Sequence, residues 1–312
     1  MQFGNPMVGR LHPIRSMLGG TLTVRRNPLL ALVLIVTLLA APAGATELQP
    51  TTVAAFDHYI AVTETRMAVD LRNRQFFVID RLPDAERSRA YEALRRGELH
   101  IEQLHTTDDG RPVPMPGGLI HHWVGMGFIP GATLLGTLAV LQDADHYQDI
   151  FKPAVRHSKL VSLTDDQLEV SEQFYRKTIV TVAANADFKA QYHFVTPSRL
   201  VCESRSTRIA EVEHPGEAAE RELPVGNDHG YLWRLNSYWH LEERDGGVYV
   251  QMEFVSLSRT VPAMFLWAVQ PFLKSVPRGV LETLLTTSRA AVIARSGNRA
   301  GVETSTAAHS TE

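Results

Sequence analysis

The sequence predicts an α+β protein in which a curved antiparallel sheet of about six or seven strands, counted by hydrophobic period, is closed by one long C-terminal helix. Three observations carry that expectation. Residues 229–259 read as a β-hairpin with one apolar side, residues 155–212 run as a succession of strand patterns separated by turn signals, and beyond Pro277 the period becomes that of a helix. A sheet with an apolar face must bury it, and the long amphipathic helix that follows is the element placed to do so.

Taken in order, the chain opens with Arg10, Arg15, Arg25 and Arg26, an apolar run over 29–41, and the small-x-small triplet Ala43-Gly44-Ala45. That is the pattern of a secretory signal peptide over 1–45, cleaved after Ala45; the run is short for a membrane span, so a retained anchor is the weaker reading. An exported protein, periplasmic or secreted, is expected. The one cysteine, Cys202, can form no intramolecular disulfide and reads as a buried small apolar side chain. A net charge of -3 gives no electrostatic reason to expect nucleic acid as a partner.

Residues 46–117 read as a helical N-terminal extension. A helix over 52–71 places Val53, Phe56, Tyr59, Ile60 and Met67 near one side, and Pro83 opens a second helix over 83–96 that Gly97 stops. A short strand follows near 100–105, then a Gly- and Pro-rich loop over 108–118. The modest apolar content sets this stretch outside the main core.

The main domain spans 118–296. Its first strand, 119–129, is broken by Pro130-Gly131, and a helix over 133–151 carries Leu134, Leu135, Leu138 and Leu141 as a stripe. Strands follow over 155–163, 168–177, 179–195 and 200–212, then a polar loop over 214–228. In the first arm of the hairpin Tyr231, Trp233, Leu235, Trp239 and Leu241 share one face, while Arg234, Asn236, Tyr238 and His240 share the other. Residues 243–247 form the turn, whose glycines supply positive φ. Pairing Leu241 with Val248 brings Val250, Met252 and Phe254 onto the tryptophan face. Residues 261–276 are apolar and partly helical, with Pro271 as an interruption. Pro277 then begins the long helix, with Val280, Leu281, Leu284, Leu285, Ser288, Ala291 and Val292 at helical spacing, and 297–312 read as a disordered polar tail.

This element order is joined by local sequence: Gly118-Leu119-Ile120-His121-His122-Trp123 with Phe128-Ile129-Pro130-Gly131, Ser206-Thr207-Arg208-Ile209, the run from Trp233 to Trp239, and Ser256-Leu257-Ser258-Arg259 before Pro262. Residues 119–295 thereby resemble exported bacterial members of the START-like superfamily, also called SRPBCC, whose fold is the helix-grip. The resemblance does not reach the N-terminal extension. It implies a hydrophobic tunnel between sheet and C-terminal helix, with Trp233, Leu235, Trp239, Val250, Met252 and Phe254 opposite Leu281, Leu284 and Leu285 as its lining. Apolar faces usually just pack, so a filled core without a cavity stays open as the alternative.

The function expected on this resemblance is binding or transfer of a hydrophobic small molecule, such as a lipid, an isoprenoid or a sterol-like compound, with transient membrane contact and no cofactor. Two alternatives remain beside it: a polyketide-cyclase-like or hydrolytic enzyme using His122, Tyr238 and Glu253, and a non-catalytic envelope module that binds a protein through the extension. On the polar face, Asn236 is expected opposite Glu253 with Arg234 diagonal to it. This group, with Tyr238, reads first as solvated cross-strand pairing and second as a head-group anchor. His121 and His122 are adjacent and point to opposite faces, and the sequence holds no HExxH, CxxC, G-x-S-x-G or glycine-rich phosphate loop. Neither a metal site nor a catalytic motif is therefore expected.

Overall fold

The expected alternation builds the expected strands, and they join one sheet. The computed structural model describes residues 46–177, 181–261 and 266–309; the signal peptide expected over 1–45, with its expected cleavage site, lies outside them. In chain order the elements are β1 (Thr46–Glu47), α1 (Pro50–Arg72), a 3-10 turn (Val78–Arg81), α2 (Asp84–Arg95), β2 (His100–Gln103), β3 (Thr107–Asp108), β4 (Arg111–Pro112), β5 (Gly118–Pro130), α3 (Leu134–Leu141), a second 3-10 turn (Ala144–His146) and α4 (Tyr147–Ile150). There follow β6 (Val155–Leu163), β7 (Gln167–Lys177), β8 (Thr181–Thr196), β9 (Arg199–Glu213), β10 (Arg221–Glu222), β11 (Asn227–Asp228), β12 (Arg234–Arg244), β13 (Gly247–Arg259) and α5 (Leu266–His309). The main sheet runs β2-β5-β13-β12-β9-β8-β7-β6, all antiparallel, with β10 added to the far end of β9. With α5 laid across its concave side, this is an α+β helix-grip arrangement.

Three expectations need correction. The helix expected over 133–151 is broken at Asp143, whose backbone is non-helical (φ -84, ψ 62) and whose carboxylate pairs with His146 and Arg295. Helix α5 is continuous from Leu266 through Pro271 and Pro277, so neither proline bounds it, and it runs on to His309 where a disordered tail was expected. A helix already nucleated by packing propagates cheaply into a polar segment that contains alanine.

The third correction concerns the N-terminal layer, which is not peripheral. Strand β2 joins the main sheet beside β5. Phe76, Phe77, Val78, Ile79 and Leu94 pack on Val124, Met126, Phe128 and Tyr249, while Phe56, Tyr59 and Ile60 pack on Val255 and Leu257. These sheet residues lie on the face away from α5. Strand β13 is therefore buried at every position from Gly247 to Ser258, on both faces. A strand covered on both sides usually reads as an unbroken apolar run; Gln251 and Glu253 break this one, and the structure compensates them with partners from α1 and its neighbours, as described below.

The hairpin closes more tightly than expected. Arg244 pairs with Gly247, leaving the two-residue loop Asp245-Gly246, with φ 58 and φ 75. Both central positions lie in the left-handed region, as a type I′ turn requires. Gly247 has a different reason to be glycine: a Cβ there would lie 2.4 Å from the Ile129 carbonyl oxygen. Backbone cannot yield as a side chain would, so Gly247→Ala is expected to lower stability by about 1–3 kcal/mol, read from the midpoint of urea unfolding. The register is shifted by two residues from the expected one: Leu241 faces Val250, not Val248. A shift of two preserves the face of every side chain but changes every cross-strand partner.

Candidate functional site

The concave face divides into a closed seam under α5 and, beside it, a set of half-buried positions, here termed the trough. Helix α5 crosses β5 where Gly125 leaves room for it; a Cβ at Gly125 would stand 2.9 Å from Leu285 Cδ1. Leu281 (0 % exposed) and Leu285 (4 %) are buried there, with Val250, Met252 and Phe254 buried beneath. These five residues of the expected lining are packed core. Leu235, Trp239 and Leu284 behave differently: they join the same clusters yet keep part of their surface accessible. Beyond them, partly accessible concave positions recur at Ser237 on β12, Ser204 and Ser206 on β9, and Glu172 and Phe174 on β7, over a floor of buried β8 residues, Ala184, Ala186, Phe188 and Ala190.

Trp233, the remaining expected lining residue, is on the other side. It precedes the regular ladder and packs with Phe56, Tyr59 and Tyr238 under α1, its indole Nε1 donating to Asp228 Oδ1 at 2.9 Å. Its place in the alternating run suggested the tryptophan face, but alternation binds only residues inside the ladder.

The polar residues of the hairpin also move. Tyr238, not Asn236, stands opposite Glu253, and Asn236 faces Val255. Arg234 caps the Trp233 carbonyl at 2.9 Å. Glu253 and Tyr238 (each 2 % exposed) and Asn236 (6 %) are sealed under the N-terminal layer, so the expected solvated outer face does not exist here. The Glu253 carboxylate receives Arg66 of α1 and the His122 Nε2–H at 2.7 Å. His122 Nδ1 accepts from the Tyr59 hydroxyl at 2.9 Å, which accepts the Thr106 amide at 2.9 Å. The chain of donors assigns His122 as the neutral Nε2–H tautomer. Tyr238 donates to Glu64, which also binds Arg205. Gln251 takes the Val78 amide, and His240 Nδ1 donates to the Phe76 carbonyl.

Electrostatics follow from this enclosure. Burial lowers His122 and His240 below the ordinary histidine range, partly opposed by Glu253 and the Phe76 carbonyl. Burial alone would raise Glu253, but the His122 hydrogen bond and the Arg66 charge outweigh it and hold the carboxyl low. On the concave face His121, bonded to Ser258 at 3.0 Å, is pushed down to about 4 by burial. The signs agree. Each imidazole takes a proton more readily unfolded than folded, so its contribution is complete above pH 6.5 and is lost as pH falls toward the folded value; the Glu253 contribution is complete above about 4.5 and is lost below it. Melting temperature is expected to begin falling below about pH 6.5, ahead of ordinary carboxylate titration; a curve flat to pH 5 would contradict this.

Among the described residues, no group of three or more His, Cys, Asp or Glu is placed to hold a metal ion, and no helix is long and apolar enough to cross a membrane. Two clefts lie outside the concave face. One of about 550 Å³ is formed by Leu48, Val53, Ala54, Val225 and Arg234 with their neighbours, and one of about 450 Å³ lies over the charged convex ends of β7–β9.

No family model matches the chain, and no curated protein matches it. Solved structures do. A STAR-related lipid transfer protein from Xanthomonas axonopodis is similar at 16% identity, covering 63% of this chain and 98% of its own, with a TM-score of 0.41. The Zhui aromatase/cyclase from Streptomyces sp. R1128 is similar at 14% identity, covering 58% and 96%, TM-score 0.38. A START superfamily protein from Mycobacterium smegmatis is similar at 9% identity, covering 56% and 96%, TM-score 0.33.

Proposed function

We propose that the chain is an exported, non-enzymatic binding or transfer protein that holds an apolar small molecule in the trough between its sheet and α5. The observation that carries this is the partial exposure of Leu235, Trp239 and Leu284 within an otherwise packed interior. Apolar surface left accessible inside a fold gains about 25 cal/mol per Å² when an apolar molecule covers it, and a mostly apolar concavity with a few polar groups is the usual form of a ligand site. The serines at 204, 206 and 237 supply the polar groups.

The enzymatic alternative loses its residues, because His122, Tyr238 and Glu253 lie on the face of the sheet away from the trough and are bonded to α1 and its neighbours. The test is uptake of an environment-sensitive fatty probe by the purified mature protein, followed by native mass spectrometry. One probe per chain, displaced by unlabelled lipid and weakened several-fold by Trp239→Ala, is expected. Absence of uptake by any lipid would end the proposal.

A further inference from the structure

We propose that the trough selects amphiphiles whose polar end is a protonated amine, seated on the carboxyl of Glu172. This rests on the ligand-binding reading above and names the ligand class for it. Glu172 lies on the concave face of β7 between Val170 and Phe174, with Ser158 of β6 and Ala186 of β8 as its cross-strand neighbours. It is half-buried, and the same strand alternation that seals Val170 turns its carboxyl to the concave side.

Among the described residues this carboxyl has no hydrogen bond and no ion pair, and burial pushes it up to about 8. The nearby hydroxyls spend their hydrogens elsewhere, Ser158 on the Ala144 carbonyl at 2.6 Å and Tyr147 on the Leu141 carbonyl. Once the carboxyl is ionised, near pH 8 and above, what the trough presents at this point is therefore a set of acceptors. A ligand must bring the hydrogens, and a buried carboxyl without a counter-charge gains most from a ligand that also brings the positive charge. A fatty amine does both; a fatty alcohol brings only the hydrogen, and a fatty acid would add a second carboxylate.

The surrounding titratable groups leave the charge of the site to Glu172. Tyr147 on α4 and Tyr192 on β8 are raised by burial, and Cys202 on β9 is pushed up to about 12, so all three stay neutral near neutral pH. Asp143, the next acid facing α4, is tied to His146 and Arg295. Arg176 shares the face of β7 but stands four residues on, about 13 Å along a strand, too far to pair.

The experiment uses the delipidated mature protein and follows tryptophan fluorescence during titration with dodecylamine, dodecanol and dodecanoate below their micellar concentrations. At pH 8 the amine is expected to bind about tenfold tighter than the alcohol, with the acid weakest. The amine preference should grow from pH 6 to pH 9, because binding displaces the Glu172 proton. Glu172→Gln should bring the amine to the level of the alcohol and leave alcohol binding within about twofold. Equal binding of amine and alcohol, tighter binding of dodecanoate, or a preference that survives in the Gln variant would overturn the proposal while leaving the trough a ligand site. Failure of all three compounds to bind would overturn both readings. The pH series on the unaltered protein stands as a test even if the variant does not fold.

Discussion

Glu253→Ala is expected to cost the folded state about 3–5 kcal/mol, the range for removing one partner of a buried ion pair. The substitution strands the Arg66 guanidinium against the sheet and leaves the His122 Nε2–H without an acceptor. Arg66 is 27 % exposed and keeps Asp70 at 3.8 Å, so it is rescued in part, which points to the lower half of that range. Glu253→Gln should fall between, since an amide oxygen can still accept from His122 but offers Arg66 no charge. The urea midpoint should shift without a change in slope. Because the pair joins α1 to β13, amide exchange in α1 is expected to quicken more than in β8 or β9. A loss below about 1 kcal/mol in the Ala variant would show that the pair contributes nothing beyond its own desolvation.

The legible part of this protein was the part governed by period. Alternation located the seven long strands, and helical spacing located the residues of α5 that reach the sheet, Leu281 and Leu285. Register was legible only to within two residues, because a shift of two leaves every side chain on its face; the pairing of Tyr238 with Glu253 could not be had from pattern. The convex face misled for a physical reason. Glu253, His122, Gln251 and His240 look like solvent-facing residues in any strand, and what buries them is an N-terminal layer whose own polar atoms, from Arg66, Tyr59 and the Val78 and Phe76 backbone, satisfy them one by one. One signal was available: Thr52, Phe56, Tyr59, Ile60 and Thr63 form a stripe at helical spacing, and an apolar stripe needs a surface to cover. Glu172 gave no signal at all, since a glutamate between Val170 and Phe174 looks the same in sequence whether its face is wet or enclosed.

That enclosure sets the second large effect. The folded protein raises Glu172 from 4.5 to about 8, so the fold favours the protonated acid. A raised group contributes stability that is complete below its unfolded value and lost as pH rises through the folded one. Glu172 therefore weighs increasingly against the fold between pH 4.5 and 8, the reverse of the buried histidines, whose contribution grows on the way up to pH 6.5. Maximum stability of the ligand-free protein is expected where the two slopes cross, near pH 6–7. Glu172→Gln removes one slope and leaves the other. At about 1.4 kcal/mol per pKa unit the ceiling is about 4–5 kcal/mol, and water reaching the carboxyl through the trough reduces this to about 1–3 kcal/mol. Urea midpoints of the two proteins should converge toward pH 4 and separate by pH 9, with the Gln variant the more stable. Parallel curves would mean that the carboxyl is hydrated like a surface group, and the amine preference assigned to it would then have no electrostatic source. If the curves separate, dodecylamine should close the gap at pH 9 by supplying the missing charge, and dodecanol should not.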